Sequence, residues 1–125
     1  MLLDTDILIW YMRGNQKAYN LIEKLDSFYI SVVTYIELVQ GMRNKQEMNE
    51  FKNALKNWNC KIVHVDEEIS SKAMFYVERH FLSHSLQLAD ALIATTALAN
   101  GLSIVTGNDK HFKIIKEVNI KKFRP

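Results

Sequence analysis

Residues 86–112, with the sequence LQLADALIATTALANGLSIVTGNDKHF, carry the strongest structural signals in the chain. Residues 86–98 are apolar on nearly every side, which predicts a buried helix. The Asn100-Gly101 pair that follows is typical of a helix end. Residues 102–106 then predict a strand, and residues 109–115 a short helix. A buried helix that returns directly into a strand is characteristic of an α/β fold.

The same alternation extends from this stretch over the rest of the chain. Further strands are predicted at residues 1–3, 28–33, 61–65 and 118–120. Helices are predicted at residues 7–12, 17–25, 47–58 and 66–81, and from Thr34 to about Gly41. The pattern favours an α/β sandwich around a short, mainly parallel sheet. Ligands of such sheets bind beyond the carboxyl ends of the strands, where the strand order reverses.

The composition is that of one folded domain spanning residues 1–125. Hydrophobic residues make up 48% and charged residues 24% of the chain, which excludes an intrinsically disordered protein. The single cysteine, Cys60, excludes an internal disulfide, and we expect it to be a passive, half-buried thiol. No apolar run approaches the roughly 20 residues of a membrane helix, and no leader pattern precedes the first strand. We therefore expect a soluble, cytoplasmic protein without membrane association.

The charge is unevenly distributed. The net charge of +2 does not by itself indicate a partner. From Lys110 onward, however, six basic residues stand against one acid, Glu117. Such a segment either attracts phosphates or is simply a solvated terminus, and the sequence leaves both interpretations open.

Three carboxylates occur as isolated charges in apolar surroundings: Asp4, Glu37 and Asp90. An unpaired buried carboxylate costs several kcal/mol, so each needs compensation. A purely structural explanation exists for each acid. Asp4 would cap the helix after it, Glu37 would form a capping box with Thr34, and Asp90 would pair with a buried Lys or Arg. A single divalent cation would instead neutralise all three. Acids without nearby histidine or cysteine favour Mg²⁺, or alternatively Mn²⁺, over zinc.

Two further acids lie close to these in sequence. Asp109 follows a predicted strand, as Asp4 does, so both would face one crevice; the alternative is that Asp109 caps the helix at 109–115. Asp6 lies two residues after Asp4 at a helix start. We therefore expect Asp6 to point elsewhere, as a cap or as a support for the site.

The segments MLLDTDILIW (1–10), ISVVTYIELVQG (30–41), residues 86–112 and FRP (123–125) together resemble the PIN-domain family. The resemblance is specifically to the VapC-like toxin ribonucleases of prokaryotic toxin–antitoxin pairs, and it covers essentially the whole chain. By position, the family's first three acids match Asp4, Glu37 and Asp90. Thr106 and Asn108 match the polar turn that lines the site. Many relatives place an acid immediately before the phenylalanine, where this chain has His111, so Asp109 is the weaker candidate for a fourth ligand.

The resemblance implies a fold and an activity. The fold would be a PIN-like α/β/α sandwich. The activity would be Mg²⁺-dependent endonucleolytic hydrolysis of RNA, with a carboxylate-held metal and an activated water, leaving a 5′-phosphate and a 3′-hydroxyl. Relatives are held inactive by a cognate antitoxin protein and usually form homodimers, so we expect both partners here.

The sequence leaves other functions open. The chain would alternatively be a housekeeping RNA-processing nuclease or a non-catalytic PIN-like binding domain. A phosphorylation-receiver module would place its acceptor aspartate at Asp66, but it would leave Glu37 and Asp90 unexplained. His80 and His84 have the spacing of a zinc-binding pair, although surface histidines without a third ligand are the simpler interpretation.

Overall fold

The computed structural model describes all 125 residues. Five strands form the sheet, β1 (Leu2–Leu3), β2 (Phe28–Ser31), β3 (Cys60–Val63), β4 (Ile104–Thr106) and β5 (Ile120–Lys122). Six helices connect them, α1 (Thr5–Met12), α2 (Gln16–Lys24), α3 (Val32–Gln40), α4 (Lys45–Asn57), α5 (Glu67–His80) and α6 (Leu88–Ala99). A 3₁₀ turn at Asp109–His111 follows β4.

All strand pairs are parallel, and the strand order is β3-β2-β1-β4-β5. Because β1 is central, the chain builds the sheet first to one side of β1 and later to the other. The strand order therefore reverses between β1 and β4, where crevices form at the carboxyl ends of the strands. Asp4 directly follows β1 and lies at this reversal.

Helices cover both faces of the sheet, which confirms the predicted α/β/α sandwich. Leu3 belongs to a core with residues of α1, α2, α3 and α4. Its neighbour Leu2 belongs to a second core with residues of α5 and α6. Successive residues of a strand point to opposite faces, so the two-residue strand β1 contributes one buried leucine to each core.

Several strands and helices begin or end at other residues than predicted, and some of these differences affect the site. Strand β2 ends at Ser31, whose hydroxyl accepts a hydrogen bond from the Val33 amide, so α3 begins before Thr34. Helix α6 begins at Leu88, which places Asp90 in its first turn and not in the middle. The last strand lies at 120–122 instead of 118–120, because Val118 is a core residue and the Ile104 amide donates to the Asn119 carbonyl.

The predicted helix at 109–115 shortens to a single 3₁₀ turn. Phe112 and Ile115 are fully buried, and irregular turns bring both side chains into the core. None of the helices has the length and apolar character needed to cross a membrane.

Candidate active site

Asp4 is held at the carboxyl end of β1 by two hydrogen bonds. Its Oδ1 atom accepts from the Thr5 amide at 2.8 Å, so Asp4 does cap α1. Its Oδ2 atom accepts from the Thr106 hydroxyl at 2.8 Å. Burial raises the pKa of Asp4 to about 6, and the charges of Asp6 and Asp90 raise it further against the effect of these hydrogen bonds. The carboxylate is thus kept in place at a location that disfavours its negative charge.

Strand β4 supplies the second wall of the site. The Asp4 amide donates to the Val105 carbonyl at 3.0 Å, which aligns the ends of β1 and β4. The Thr106 hydroxyl, besides donating to Asp4, accepts from the Asn108 amide at 2.9 Å. Thr106 therefore connects the carboxylate to the turn after β4, as expected for a polar residue lining the crevice.

Glu37 reaches the site from α3 through two threonines. The Thr5 hydroxyl donates to Glu37 Oε1 at 2.7 Å, and the hydroxyls of Thr5 and Thr34 are hydrogen-bonded at 3.0 Å. The predicted capping box is wrong, because Ser31 caps α3 and Glu37 lies in the middle of that helix. The position of Glu37 is therefore set by a contact to the first turn of α1, 32 residues earlier.

Asp90 projects from the first turn of α6 and makes no ion pair with Lys or Arg. The imidazole of His111 lies beside it, with Nδ1 3.6 Å from Asp90 Oδ2. Burial raises the pKa of Asp90. The imidazole of His111 acts to lower this pKa, and the charge of Glu37 raises it further. The buried Lys or Arg partner that would explain Asp90 structurally is absent. The approach of His111 is not predictable from the sequence, since it depends on how the 3₁₀ turn lies beside α6.

Asp6 supports the turn after β4. Its Oδ2 atom accepts from the Gly107 amide at 2.8 Å and lies 3.4 Å from Asn108 Nδ2. Its Oδ1 atom is buried without a hydrogen-bond partner, and burial raises the pKa of Asp6. A Cβ atom at Gly107 would lie 2.8 Å from Asp6 Oδ2, so any other residue at this position would displace the Asp6 carboxylate. The prediction that Asp6 points elsewhere is wrong, because Asp6 faces the turn after β4, and its role as a support for the site stays a prediction.

Asp109 does not join the other carboxylates. Its Oδ2 atom is 3.0 Å from Lys113 Nζ, and its Oδ1 atom is 3.2 Å from Lys122 Nζ. Hydrogen bonds from Lys113 and then Lys122 lower the pKa of Asp109 to about 2. Both oxygens are therefore engaged by lysines, and the structure does not support a shared crevice with Asp4. The alternative helix cap is also absent, because its carboxylate accepts no backbone amide and Asn108 precedes the turn.

Asp4, Glu37 and Asp90 come from three elements and have no Lys or Arg partner, and burial together with the charges of neighbouring members of this set raises the pKa values of Asp4 and Asp90. Their donor set is entirely carboxylate oxygen, which suits a hard divalent cation, and the orphaned Asp6 Oδ1 atom is a further acceptor at the same edge. No three His, Cys, Asp or Glu side chains are already spaced as a complete metal cage.

Other candidate residues are unconnected with this cluster. The His80 and His84 rings lie 6.4 Å apart and have no third ligand. Cys60 is half-buried, and burial raises the pKa of its thiol to about 12, which makes it unreactive. The Asp66 carboxylate accepts from the Ile69 amide at 2.9 Å, so it is a helix cap.

Comparisons with known proteins bear on the family and the fold of this chain. The sequence pattern of the PIN domain matches residues 1–118. Ribonuclease VapC1 of Methanocaldococcus jannaschii is 30% identical over 125 residues, covering 97% of this chain and 85% of that protein. Ribonuclease VapC10 of Mycobacterium tuberculosis is 32% identical over 122 residues, covering 94% and 90%.

Two solved structures resemble the fold. The crystal structure of VapBC2 from Rickettsia felis, bound to a promoter DNA fragment, matches with a TM-score of 0.83 at 21% identity over 98% of both chains. A toxin–antitoxin complex from Klebsiella pneumoniae matches with a TM-score of 0.73 at 27% identity, covering 94% of this chain and 93% of that one.

The chain therefore belongs to the PIN-domain family. Within that family it is a VapC-like protein, since its relatives at 30% identity or above are VapC ribonucleases. This membership excludes the phosphorylation-receiver alternative.

Proposed function

We propose that this protein is a metal-dependent endoribonuclease that acts as the toxin of a toxin–antitoxin pair. The proposal depends mainly on one observation: burial and the charge of Asp90 raise the pKa of Asp4, burial and the charge of Glu37 raise the pKa of Asp90, and none of the three acids has a Lys or Arg partner. The names of the relatives, both VapC ribonucleases, support RNA as the substrate. Burial raises the pKa of Asp4 to about 6, and carboxylates with raised pKa values cluster at catalytic sites, which favours an enzyme over a purely binding domain.

Asp4, Asp90 and Glu37 are the residues that would hold Mg²⁺, with Mn²⁺ as the alternative. Once bound, such an ion lowers the pKa of a water molecule and neutralises charge that develops on the scissile phosphate. Asp109 is left out of this ligand set because both of its oxygens are paired with lysines.

Hydrogen bonds within the chain position the carboxylates of this site. The Thr5 amide and the Thr106 hydroxyl fix both oxygens of Asp4. Glu37 is exposed at the rim, with Oε1 accepting from Thr5, so its other oxygen has lone pairs available both to the ion and to a water molecule whose proton it would accept. The water oxygen would then form the new bond to phosphorus as the bond from phosphorus to O3′ breaks, and O3′ would take a proton from solvent. The products are a 3′-hydroxyl and a 5′-phosphate.

A groove next to Glu37 is the surface we assign to the antitoxin. It encloses about 660 Å³ and is lined mainly by apolar side chains of α1, α3 and α4, among them Ile9, Met12, Leu38 and Phe51. Because Glu37 is also part of its lining, a protein segment bound there would obstruct access to the carboxylates. The structural neighbour from Klebsiella pneumoniae is a toxin–antitoxin complex, which supports such a partner.

Two further expectations belong to this proposal. The first is a homodimer, for which the exposed apolar side chains of Met74, Phe81, Leu82 and Leu88 are the best candidate surface. The second is action in the cytoplasm, where the RNA substrate is found.

Cleavage of a labelled single-stranded RNA by the purified protein tests the activity. We expect cleavage with Mg²⁺ or Mn²⁺, none with EDTA, and 5′-phosphate ends on the products. We expect Asp90→Asn to be inactive, whereas Asp26→Asn, a change of the same kind at an exposed site, should be fully active. Cleavage that persists in EDTA or in Asp90→Asn would refute the carboxylate-metal assignment.

The partner is tested separately. A small reading frame beside this gene, encoding a protein with a DNA-binding amino end, should yield a product that co-purifies with the protein and inhibits cleavage. Active enzyme with no such neighbour would favour the housekeeping nuclease instead.

A further inference from the structure

Positive charge is concentrated in the last part of the chain. Residues 109–125 contain six Lys and Arg residues and two acids, Asp109 and Glu117, which gives this segment a net charge of +4. The whole chain has a net charge of only +2, so the remaining residues carry −2. Positive charge is thus concentrated in residues 109–125, and a proposed function should explain what this segment binds.

The register of β5 places part of this charge beside the carboxylates. Lys122 is the parallel partner of Thr106, and the Phe123 amide donates to the Thr106 carbonyl at 2.8 Å. Thr106 in turn donates to Asp4. Lys122 is therefore one strand away from the residue that fixes the first carboxylate.

Asp109 gathers two lysines at this place. Its two oxygens lie 3.0 Å from Lys113 Nζ and 3.2 Å from Lys122 Nζ. The Asp109 side chain is 11% exposed, while those of Lys113 and Lys122 are 67% and 43% exposed. One carboxylate between two ammonium groups leaves a net positive charge, and the lysines remain open to solvent. Buried Phe112 and Phe123 anchor the backbone on either side.

The rest of the cluster extends this surface. Lys110 adjoins Asp109 in the 3₁₀ turn and is exposed. Arg124 is exposed as well and follows buried Phe123, so it points outward like Lys122. Neither Lys110 nor Arg124 makes an ion pair within the chain. We name Lys110, Lys113, Lys122 and Arg124 the basic patch.

A nuclease of this kind has an electrostatic difficulty that the basic patch would resolve. An RNA strand must bring its phosphates close to Asp4, Glu37, Asp90 and Asp6, all of which repel anions. Cations beside the site compensate that repulsion, and phosphate contacts provide most of the affinity of nucleic-acid binding without reading sequence.

We propose that the basic patch binds the sugar-phosphate backbone of single-stranded RNA next to the carboxylate site, with Asp109 as a positioning residue that holds Lys113 and Lys122. This assignment rests on the proposed ribonuclease function, because it specifies how the substrate is held. It also gives Asp109 a role that is distinct from metal binding.

The test measures RNA binding separately from cleavage. Binding of a fluorescent single-stranded RNA is followed by anisotropy in EDTA at several salt concentrations, for the wild type, Lys113→Gln and Lys122→Gln. Each single substitution leaves Asp109 one lysine partner, so folding is preserved. The control is Lys52→Gln on α4, an exposed lysine outside the basic patch.

We expect each patch variant to raise the Kd about threefold to tenfold. The slope of log Kd against log salt should fall by about 0.7 for each lost phosphate contact. Lys122→Arg should keep the wild-type Kd, because it keeps the charge. For Lys113→Gln and Lys122→Gln, kcat for cleavage should be unchanged while KM rises. The double variant Lys110→Gln/Arg124→Gln alters only unpaired residues and should weaken binding to a similar extent.

Patch variants with the Kd and salt slope of Lys52→Gln would overturn the proposal. A fall in kcat with unchanged KM and Kd would also overturn it, since that result would place these lysines in the chemical step. Because binding is measured in EDTA, the patch is testable even if the protein proves unable to cleave RNA. Absence of cleavage would refute the proposed function and leave the binding result standing.

Discussion

Replacement of Asp4 by asparagine is expected to stabilise the metal-free protein at neutral pH while abolishing its activity. Burial and the nearby acids Asp6 and Asp90 raise the pKa of Asp4 from 3.8 to about 6. The folded state therefore binds a proton more tightly than the unfolded state does. By linkage, stability falls as the pH rises from about 4 to about 6, and the cost remains at higher pH.

The size of the effect follows from the pKa shift. A shift from 3.8 to about 6 corresponds to a cost of about 3 kcal/mol above pH 6, at about 1.4 kcal/mol for each pH unit. Asparagine removes this charge but cannot accept both hydrogen bonds that Asp4 receives, from the Thr5 amide and the Thr106 hydroxyl. Loss of one of them costs about 1 kcal/mol. We expect a net gain of about 2 kcal/mol, or roughly 6–10 °C in Tm for a domain of this size.

Thermal unfolding in EDTA at pH 8 and at pH 4.5, with Asp26→Asn as the control, measures this effect. The gain should be present at pH 8 and should largely disappear at pH 4.5, where wild-type Asp4 is mostly protonated. Added Mg²⁺ should raise the Tm of the wild type and narrow the gap, because only the intact site binds the ion. An Asp4→Asn protein that is no more stable at pH 8, or a gain independent of pH, would refute the reasoning.

Four further predictions follow from the same geometry. Glu37→Gln should abolish cleavage yet change the free energy of unfolding by less than about 0.5 kcal/mol, because exposed Glu37 caps nothing; an active but destabilised variant, judged by urea unfolding, would contradict this. Asp90→Asn should lower the cleavage rate by several orders of magnitude with an unchanged or raised Tm, and a parallel loss of Tm would indicate a structural role. Asp109→Asn should reduce kcat/KM only about tenfold. Since ion pairs lower the pKa of Asp109 to about 2, its stabilising contribution should be present above pH 4 and lost toward pH 2, which urea titrations of both proteins can follow. Gly107→Ala, with a Cβ atom 2.8 Å from Asp6 Oδ2, should lower activity with a smaller effect on Tm, and wild-type rates would disprove the need for glycine.

The amino-acid sequence alone was sufficient to locate most of the candidate site. Asp4, Glu37 and Asp90 are conspicuous because each is a single charge in an apolar segment, and charge burial is costly whatever the fold. The alternation of short strands and helices predicted the sandwich, since periodicity is a local property of the chain. Element ends were predicted less accurately. For example, the start of α3 depends on Ser31, a residue that the strand pattern also accommodates.

Contacts between distant residues were decided only by the tertiary structure. Thr5 meets Glu37 because α1 and α3 pack together, and His111 approaches Asp90 because the 3₁₀ turn lies beside α6. Asp109 looked like a strand-end ligand in the sequence, yet the parallel register of β4 and β5 brings Lys122 to it and turns it into the centre of an ion-pair cluster. The sequence thus determined which residues carry uncompensated charge, because that depends on local polarity. The fold decided which of those charges would find a partner, because a partner many residues away is set by strand order and register.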